Sequence, residues 1–544
     1  MLLLRARNLK HYFGPRCIVD IPALDVYMGD RIGLLGRNGV GKTTLLKILL
    51  GMIKPDEGVV EVFGEAAYLP QLEEAAGASP DGALLRMWLG EGDVHANMSG
   101  GEETRVKLAH LFSKEAHLLV VDEPTTNLDM QGIAMLEDKL KRFSGAILLV
   151  SHDRELLDGV CSEIWELEQG KLTTYPGNYT DFLRLRQLKY ETAMAEYEAY
   201  VREREHLQQA IRTQASKARS IKKAPSRMGI SEARLHKGTA KAKGSKLEQS
   251  VRALESRLAR LEVKEKPMEL QGPTVDLQPP SPIGSEIALM VHELSVGFPG
   301  KDLLKAVSFV VRRGEKAALV GPNGTGKTTL LKRIVGGAHG VKLAGSVKLG
   351  WFSQGLEVLR EDKTVLENVL ETTAYRPELV RTVLARLLFR GDDVHKPVAV
   401  LSGGERVKCA FAKVFLADVN FLILDEPTNY LDIDSIEALG SVLQDYAGTV
   451  LFVSHDRRFI RQVANRILAV EDQYIVDFAG TYDEYQSRRR SADRSNDKLL
   501  VLQNRLAEIT GRLAVPGPED DMELLDQQFR ELVEEIRRLK SQHS

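Results

Sequence analysis

Hydrophobic positions along the chain follow two spacings, and each spacing predicts a different element. Short continuous apolar runs include "RIGLL" at 31–35 and "KAALV" at 316–320, and both predict buried β-strands. The glycine-rich segments after them lead into "LLKILLG" and "LLKRIVGG", whose apolar residues have helical spacing. The chain therefore alternates strand, loop and helix, which predicts an α/β fold.

Two further stretches show helical spacing with no strand beside them. No proline or glycine interrupts residues 182 to about 223, which predicts a helix of roughly 60 Å at about 1.5 Å per residue. A returning helix that ends at Pro267 is predicted from apolar residues at steps of four and three: Leu247, Val251, Leu254, Leu258 and Leu261. The same spacing on both sides of "PGPED", within residues 499–539, predicts a C-terminal helical hairpin.

The chain contains one pattern twice. The glycine-rich segments are "GRNGVGKTT" at 36–44 and "GPNGTGKTT" at 321–329, and a Ser-Gly-Gly triplet follows each, beginning at Ser99 and at Ser402. In both copies a glutamate stands 24 residues after that serine, a histidine 29 residues after the glutamate, and a tyrosine 27 residues after the histidine. Equal spacing across four landmarks indicates a duplicated domain.

Both glycine-rich segments fit the phosphate-binding pattern G-x-x-x-x-G-K-[ST], between a predicted strand and a predicted helix. Glycine lets backbone N–H groups curl around phosphate oxygens, the lysine meets the β and γ phosphates, and the hydroxyl after it ligates magnesium. The predicted phosphate-binding residues are Gly36, Asn38, Gly39, Gly41, Lys42, Thr43 and Thr44 in the first copy, and Gly321, Asn323, Gly324, Gly326, Lys327, Thr328 and Thr329 in the second.

Composition excludes several classes of protein. A chain of 544 residues exceeds what one hydrophobic core supports, and its 43% hydrophobic content is typical of globular domains. No apolar run reaches 18 residues and the start is too short for a secretory signal, so we expect a cytoplasmic protein that does not span a membrane. Cys17, Cys161 and Cys409 form no CxxC pair, which argues against a disulfide framework or a structural zinc site.

The repeated motifs resemble those of ATP-binding cassette proteins, and the resemblance covers most of the chain. It implies an ATPase with two P-loop cassettes in a head-to-tail sandwich, in which ATP and Mg²⁺ lie between one cassette's phosphate loop and the other's Ser-Gly-Gly signature. One site would use Lys42, Thr43, Gln71, Asp122, Glu123 and His152 with Ser402, Gly403 and Gly404. The other would use Lys327, Thr328, Gln354, Asp425, Glu426 and His455 with Ser99, Gly100 and Gly101.

Each residue type suits ATP hydrolysis, which needs a positioned water and neutralised phosphate charge. Asp122 and Asp425 end apolar runs, where a carboxylate can hold magnesium; Gln71 and Gln354 would also contact the metal. The next residues, Glu123 and Glu426, would orient or deprotonate the water, and His152 and His455 would touch the γ phosphate. Phe13 and Phe298 are predicted to stack on adenine, with a place in the hydrophobic core as the alternative.

The segment between the cassettes is strongly basic. We place four domains at residues 1–181, 182–285, 286–490 and 491–544, of which the second joins the cassettes. Within that segment, residues 201–246 hold thirteen Lys or Arg against three acids. A segment with this excess of positive charge attracts nucleic acid, and RNA is often recognised by its shape and its backbone. The alternative is a solvated linker without a partner. The predicted RNA-contacting residues at the tip are Lys222, Lys223, Arg227, Met228, Ile230, Arg234, Leu235, His236, Lys237, Lys241 and Lys243.

Two cassettes, a long basic linker and no membrane segment resemble the ABC-F family, and "LSGGERVKCAFAKVFLADVNFLILDEPTNYLDI" resembles its antibiotic-resistance branch of the Vga and Vml type. The resemblance implies a monomer, without a permease, that binds the ribosomal exit-tRNA site and points its linker at peptidyl tRNA and the peptidyl-transferase centre. The stretch from Gln71 to Ser99 is shorter than that from Gln354 to Ser402, and it leaves no room for the arm of housekeeping members.

Some features leave alternatives open. The first copy reads "MSGGEE" and "PTTNLD", which departs from the family pattern and puts equal turnover at the two sites in question. A housekeeping translation factor is the nearest alternative, followed by the energy subunit of a membrane transporter, for which a short linker is expected. DNA repair is disfavoured because residues 491–544 hold eight basic and eleven acidic residues.

Overall fold

The computed structural model describes residues 1–70, 82–89, 100–221, 230–266, 277–298, 301–353, 358–489, 502, 506, 509 and 527–534. By its internal contacts the chain forms two compact units. One contains residues 1–160, 165–173 and 273–544, and therefore both halves of the duplication; the other contains residues 161–164 and 174–272.

The first cassette alternates strands and helices as its apolar pattern predicts. Its elements are β1 (Leu2–Phe13), β2 (Arg16–Tyr27), β3 (Arg31–Leu35), α1 (Lys42–Leu49), β4 (Glu57–Val62), β5 (Ala66–Leu69), α2 (Gly82–Leu89), α3 (Gly100–Phe112), β6 (Leu118–Asp122), α4 (Met130–Arg142), β7 (Ala146–Val150), α5 (Arg154–Val160), β8 (Glu163–Glu168) and β9 (Lys171–Pro176). Two long helices follow it, α6 (Tyr179–Ile221) and α7 (Ile230–Arg260).

The second cassette repeats the order of the first. Its elements are β10 (Ile287–Phe298), β11 (Lys301–Arg312), β12 (Lys316–Val320), α8 (Lys327–Val335), β13 (Val341–Leu343), β14 (Leu349–Phe352), α9 (Val365–Leu370), α10 (Pro377–Arg386), α11 (Gly403–Phe415), β15 (Phe421–Asp425), α12 (Ile433–Asp445), β16 (Thr449–Val453), α13 (Arg457–Val463), β17 (Arg466–Glu471) and β18 (Tyr474–Ala479). Two 3₁₀ turns, Gly391–His395 and Val398–Val400, precede α11, and residues 482–489 are helical.

Each cassette has a six-stranded sheet that places the motifs together. The strand order is β5-β6-β7-β3-β8-β9 in the first and β14-β15-β16-β12-β17-β18 in the second. Strands β5, β6, β7 and β3 run parallel, as do β14, β15, β16, β12 and β17, so their carboxyl ends meet at one edge. The runs "LLVVD" and "FLILD" are buried at every position because helices cover both faces of a parallel sheet. A three-stranded antiparallel sheet, β2-β1-β4 or β11-β10-β13, accompanies each.

Helices α6 and α7 of the second unit form an antiparallel hairpin. Arg257 donates to Glu203 at 2.7 Å, and Lys264 lies 3.6 Å from Glu196, so residues further along one helix meet earlier residues of the other. The five apolar positions that were predicted for the returning helix are all partly buried, four of them in α7 and the last just after it: Leu247, Val251, Leu254, Leu258 and Leu261. On α6 the partly or fully buried positions include Tyr197, Tyr200, Arg204, Leu207, Ile211, Gln214 and Ala218, at steps of three and four.

The hairpin differs from the sequence prediction in its ends. Helix α6 has 43 residues, a length of roughly 65 Å at about 1.5 Å per residue, and begins at Tyr179 rather than at residue 182. Helix α7 ends at Arg260, so the prediction that Pro267 ends it was wrong. It begins at Ile230, inside the basic stretch that was predicted as the tip, because that stretch has no helix breaker between Ile230 and Gly238.

The C-terminal segment shows part of its predicted apolar seam. Leu502, Ile509 and Leu532 are buried together, with Leu506 and Phe529 packed against them. These five residues come from both sides of "PGPED", so the described part of the segment brings its two predicted helices into contact. Among the described residues, no helix is long and apolar enough to cross a membrane.

Candidate active site

The two phosphate loops follow the central strands β3 and β12 and lead into α1 and α8. The Lys42 ammonium donates to the carbonyls of Gly36 at 2.7 Å and Arg37 at 3.3 Å, and Lys327 donates in the same way to Gly321 and Pro322 at 2.8 and 2.7 Å. Each lysine is thus held across its own loop, beside the exposed N–H groups at the helix N-terminus, where anions bind.

Glycine is required at two loop positions for different reasons. Gly41 and Gly326 have φ of 111° and 92°, and a Cβ at Gly41 would lie 2.3 Å from the Ile18 side chain. Gly39 and Gly324 also have positive φ, of 74° in both, but no atom lies within 4 Å of a Cβ built there. The loops therefore pack on the cassette at one glycine and border open space at the other.

Hard oxygen ligands stand together beside each loop. Thr43 Oγ1 donates to Asp122 Oδ2 at 2.7 Å, and Thr328 Oγ1 donates to Asp425 Oδ1 at 3.1 Å. Burial raises the pKa of both aspartates above the usual value, because a charged carboxylate is poorly solvated there. A hydroxyl with a desolvated carboxylate fits Mg²⁺, which prefers oxygen ligands. Gln71 and Gln354, the other predicted metal contacts, lie outside the described residues.

The glutamates after these aspartates have the conformation of a specialised site. Glu123 and Glu426 have φ of 51° and 48°, in the left-handed region that is costly for a side chain of this kind. Burial raises the pKa of each to about 7, opposed by the lysine of the same loop. Glu123 is only 9% exposed, and its Oε1 accepts no hydrogen bond among the described residues, although His152 Nε2 lies 3.2 Å from it. A buried carboxylate oxygen of this pKa can accept a proton from water.

The histidines after β7 and β16 lie against these glutamates. The backbone N–H of His152 donates to Glu123 Oε2 at 3.2 Å, and the histidine Nε2 atoms lie 3.2 and 3.3 Å from Glu123 and Glu426. Burial, with the nearby loop lysine, lowers the pKa of His152 and His455 to about 3. Both imidazoles are therefore neutral at physiological pH, and each has one N–H to donate.

Each phosphate loop also contacts the other cassette. Asn38 donates from its side chain to the carbonyl of Tyr430 at 2.9 Å, and from its backbone to Asp432 at 3.2 Å. Asn323 makes the equivalent contacts, with the Asn127 carbonyl at 2.6 Å and Asp129 at 3.1 Å. We name residues 127–129 and 430–432 the first and second intercassette turns. The two cassettes are therefore arranged head to tail, as the resemblance implied.

The signature glycines face the opposite phosphate loop. A Cβ on Gly101 would lie 2.7 Å from the side-chain nitrogen of Asn323, and one on Gly404 would lie 3.2 Å from that of Asn38. Only glycine permits this approach without a shift of the neighbour. Ser402 begins α11 as its N-cap, and its hydroxyl donates to Glu405 at 2.6 Å. Ser99, its counterpart, lies outside the described residues.

A cavity of about 360 Å³ joins these groups at the second phosphate loop. It is lined by Lys327, Thr328, Glu426 and His455 from the second cassette and by Gly100 and Gly101 from the first. Its volume lies within the range of small-molecule sites. Phe298, the last residue of β10, also lines this cavity and is 63% exposed. Phe13, the last residue of β1, is 81% exposed. Neither ring is in the hydrophobic core, which was the alternative for both.

Sequence reasoning missed several residues that join the cassettes. Asp129 and Asp432 were not predicted as site residues, although each stands six residues after the glutamate of its copy. Arg154, only 5% exposed, donates to the Ile433 carbonyl at 2.9 Å, and its counterpart Arg457 donates to the Met130 carbonyl at 3.1 Å. These aspartates and arginines occur at matching positions in both copies, and that repetition was the signal in the sequence that could have identified them. Of the predicted RNA-contacting residues, Lys222, Lys223, Arg227 and Met228 lie outside the described residues.

Comparison with known proteins agrees with this geometry. A family model described as "ABC transporter" matches residues 19–79 and 304–429, and a second of the same description matches residues 165–233. The archaeal ribosome recycling factor aABCE1, solved with a ribosomal stalk protein, has a similar fold, with a TM-score of 0.60 at 19% identity over 89% of this chain and 92% of that one.

Curated relatives extend along nearly the whole chain. The putative ATP-binding protein YdiF of Bacillus subtilis is 33% identical over 90% of this chain and 83% of its own length. The ribosome protection protein VmlR of the same species is 32% identical over 95% and 94%, and ABC transporter F family member 5 of Arabidopsis thaliana is 31% identical over 89% and 77%. Since similarity of this extent accompanies both sets of cassette motifs, the chain belongs to the ABC-F family of ATP-binding cassette ATPases.

Proposed function

We propose that this ATPase acts on the ribosome and confers antibiotic resistance by ribosomal protection. With ATP in both composite sites the cassettes close, the protein occupies the exit-tRNA site, and the hairpin reaches toward peptidyl tRNA and the peptidyl-transferase centre. Hydrolysis then reopens the cassettes and releases the protein. The observation that carries the proposal is the end-to-end similarity to a protein named for ribosome protection, with 95% of this chain and 94% of that relative aligned.

The hairpin supplies a suitable surface for RNA. Exposed cations stand on the part of both helices nearest the turn, at Arg212, Lys217 and Arg219 on α6 and at Lys243 and Lys246 on α7. An array of this kind binds phosphate groups without reading sequence, and counterion release makes its affinity fall steeply with salt. A rigid helical support holds these charges at a fixed distance from one another, which favours a structured RNA surface over a flexible partner.

The catalytic roles follow from the positions of the side chains. The lysines at 42 and 327 would bind the β and γ phosphates, and the neutral histidines would donate to a γ-phosphate oxygen. Glu123 and Glu426 would each take a proton from the attacking water, which a carboxylate of raised pKa can accept. Magnesium, when bound by the threonine and aspartate of each loop, would neutralise phosphate charge. The Ser402 hydroxyl, which now donates to Glu405, would donate to the γ phosphate of the first site when ATP is bound.

Closure is the step that couples ATP to the ribosome. The Asn38 and Asn323 contacts with the opposite cassette exist only when the two halves meet, so a nucleotide that holds the loops in place favours the closed form. Changing a population from mostly open to mostly closed needs about 5 kcal/mol of differential binding. Two ATP molecules, each bound between both cassettes, can supply that difference.

The test uses hydrolysis-deficient protein. The E123Q/E426Q variant keeps the shape of both sites but lacks both general bases, so it should stay closed and co-sediment with ribosomes in ATP. A K42A/K327A variant, which loses the phosphate contacts, should not sediment. If E123Q/E426Q remained in the supernatant with ATP present, the ribosomal assignment would be abandoned.

A second experiment separates resistance from a housekeeping role in translation. A drug-sensitive host that expresses the chain should tolerate a higher concentration of at least one antibiotic directed at the peptidyl-transferase region, and E123Q/E426Q should remove that gain. An R212E/K217E/R219E variant should also remove it while ATP hydrolysis by the purified protein stays intact. Unchanged susceptibility to lincosamides, streptogramins A, pleuromutilins, macrolides and phenicols would leave the housekeeping role.

A further inference from the structure

The carboxylate of Asp129 connects three parts of the molecule. Its Oδ1 accepts from the Gly132 backbone at 2.9 Å, at the start of α4, and from Arg105 Nη2 at 2.8 Å, on the signature helix α3. Its Oδ2 accepts from the Asn323 backbone at 3.1 Å, in the phosphate loop of the other cassette. Asp129 is 2% exposed, so a lost partner there is not replaced by solvent.

Arg105 is itself held in place at a second point. Its other guanidinium nitrogen, Nη1, lies 3.5 Å from the Trp88 carbonyl in α2, and its side chain is 23% exposed. A planar guanidinium held at both ends fixes the direction of the carboxylate it binds. Since Oδ1 is occupied by Arg105 and Gly132, Oδ2 is left facing Asn323.

The equivalent position in the other half lacks this bond. Lys408 stands six residues after Ser402, as Arg105 stands six residues after Ser99. Within the described part of the chain, the Lys408 ammonium makes no ion pair with Asp432 and lies 5.1 Å from the centre of the Phe389 ring. Asp432 still accepts from Asn38 at 3.2 Å and from Ser435 at 2.9 Å, but among the residues that the structure describes no arginine bonds to it.

We propose that Arg105 is a positioning residue for nucleotide binding at the second phosphate loop, and that the first phosphate loop has no equivalent. The residue acts through Asp129 on the Asn323 backbone, so it stabilises the closed second site without touching the nucleotide. The second site therefore closes at a lower ATP concentration than the first. The proposal rests on the assigned composite sites but not on the ribosome, and purified protein alone tests it.

The experiment measures equilibrium binding of a fluorescent ATP analogue to one loop at a time. The K42A variant leaves the second phosphate loop to bind, and K327A leaves the first. Adding R105Q to K42A should raise the dissociation constant about 5- to 20-fold, the size expected for losing a hydrogen bond to a buried charge. Adding R105Q to K327A should change it less than about twofold, since Arg105 bonds to Asp129 of the first intercassette turn, which faces the second phosphate loop and not the first.

Two further variants separate positioning from general damage to the fold. R105K should recover part of the loss, because lysine keeps the charge but not the two-ended geometry. The matched substitution K408Q in K327A should change affinity at the first loop less than R105Q changes it at the second, since among the described residues Lys408 acts on Asp432 through its charge and without a hydrogen bond. The proposal is overturned if R105Q weakens both loops equally, if it weakens neither, or if K408Q costs the first loop as much as R105Q costs the second.

Discussion

The two composite sites contain the same proposed catalytic groups in nearly the same geometry. A threonine donates to an aspartate at 2.7 Å in one and 3.1 Å in the other, and the following glutamate has φ of 51° or 48°. Both glutamates have a pKa raised to about 7 by burial, and both histidines one lowered to about 3. Chemistry should therefore proceed similarly at both sites once each is closed.

The contacts that close the sites are less alike. Arg105 holds Asp129 in the first intercassette turn, and in the described part of the chain no arginine bonds to Asp432 in the second. Arg154 pairs with Glu437, whereas Glu155 of the first cassette accepts from both Arg457 and Arg461 of the second. The duplication has thus preserved the groups that act on ATP and changed the groups that join the cassettes. Unequal turnover, if present, should come from closure rather than from the bond-breaking step.

The largest expected effect comes from removing one general base at a time. E123Q should silence the first site and E426Q the second, each by about 10²- to 10⁴-fold at that site. At saturating ATP the two variants should retain similar turnover, because the remaining sites have matched chemistry. At low ATP, E426Q should lose more activity than E123Q, because the remaining first site closes less readily. Steady-state phosphate release over a range of ATP concentrations measures this.

The opposite order at low ATP would contradict the difference between the intercassette turns. Loss of all turnover in either single variant would show that the two sites hydrolyse ATP only when both are active. The two sites could then not be compared as separate catalysts. E123Q/E426Q serves as the control for background hydrolysis, since neither base remains.

A smaller effect concerns the aspartates that follow the two histidines. Asp456 caps α13 by accepting from the Phe459 backbone at 2.8 Å, and lines a cavity of about 90 Å³ with Asp153, Glu123 and Glu426. Burial, and to a lesser degree the Asp153 carboxylate, raise the pKa of Asp456 to about 6. An acid whose pKa is raised on folding stabilises the folded state when protonated, so this stability is lost as pH rises through about 6.

D456N should therefore change how stability depends on pH. Asparagine caps a helix as well as aspartate does and carries no charge. At pH 8 the variant should gain at most about 3 kcal/mol over the wild type, and at pH 4 almost nothing. Thermal unfolding midpoints across this range provide the measurement, with D362N as the control because Asp362 is exposed. Parallel midpoints for D456N and wild type at all pH values would contradict the assignment.

Much of this arrangement could be predicted from the sequence because it rests on local pattern. The phosphate loops and the aspartates that end buried strands follow from motifs at fixed spacing, and the head-to-tail pairing was implied by the resemblance to ATP-binding cassette proteins. The long hairpin followed from an uninterrupted helical stretch, although its turn was predicted to be longer than the structure allows. Helix α7 extends into the basic stretch and continues through Gly238 and Gly244, because charge alone does not break a helix and an isolated glycine is tolerated within one.

The intercassette contacts could not be predicted in the same way. Whether Arg105 reaches Asp129, or Lys408 falls short of Asp432, depends on side-chain length and on distances set by tertiary packing. The left-handed conformation of Glu123 and Glu426 is also invisible in sequence, because glutamate does not favour it. The sequence predicts that Asn38 and Asn323 bind phosphate, but it gave no sign that their side chains also donate to the opposite cassette.

The smallest expected effect lies in the backbone of the two intercassette turns. Asn127 and Tyr430 occupy matching positions with φ of 64° and 65°. Asparagine tolerates this left-handed conformation better than tyrosine does, so the second turn stores strain that the first avoids.

Y430N should raise stability by about 0.5 to 1 kcal/mol, and N127Y should lower it by a similar amount. The Tyr430 ring is 58% exposed and its carbonyl, not its ring, accepts from Asn38, so little packing is lost. Thermal unfolding should show midpoints displaced by about 1 to 3 °C in opposite directions. A loss in both variants would mean that the tyrosine ring makes a stabilising contact greater than the strain, and the two turns would then differ for a reason other than backbone conformation.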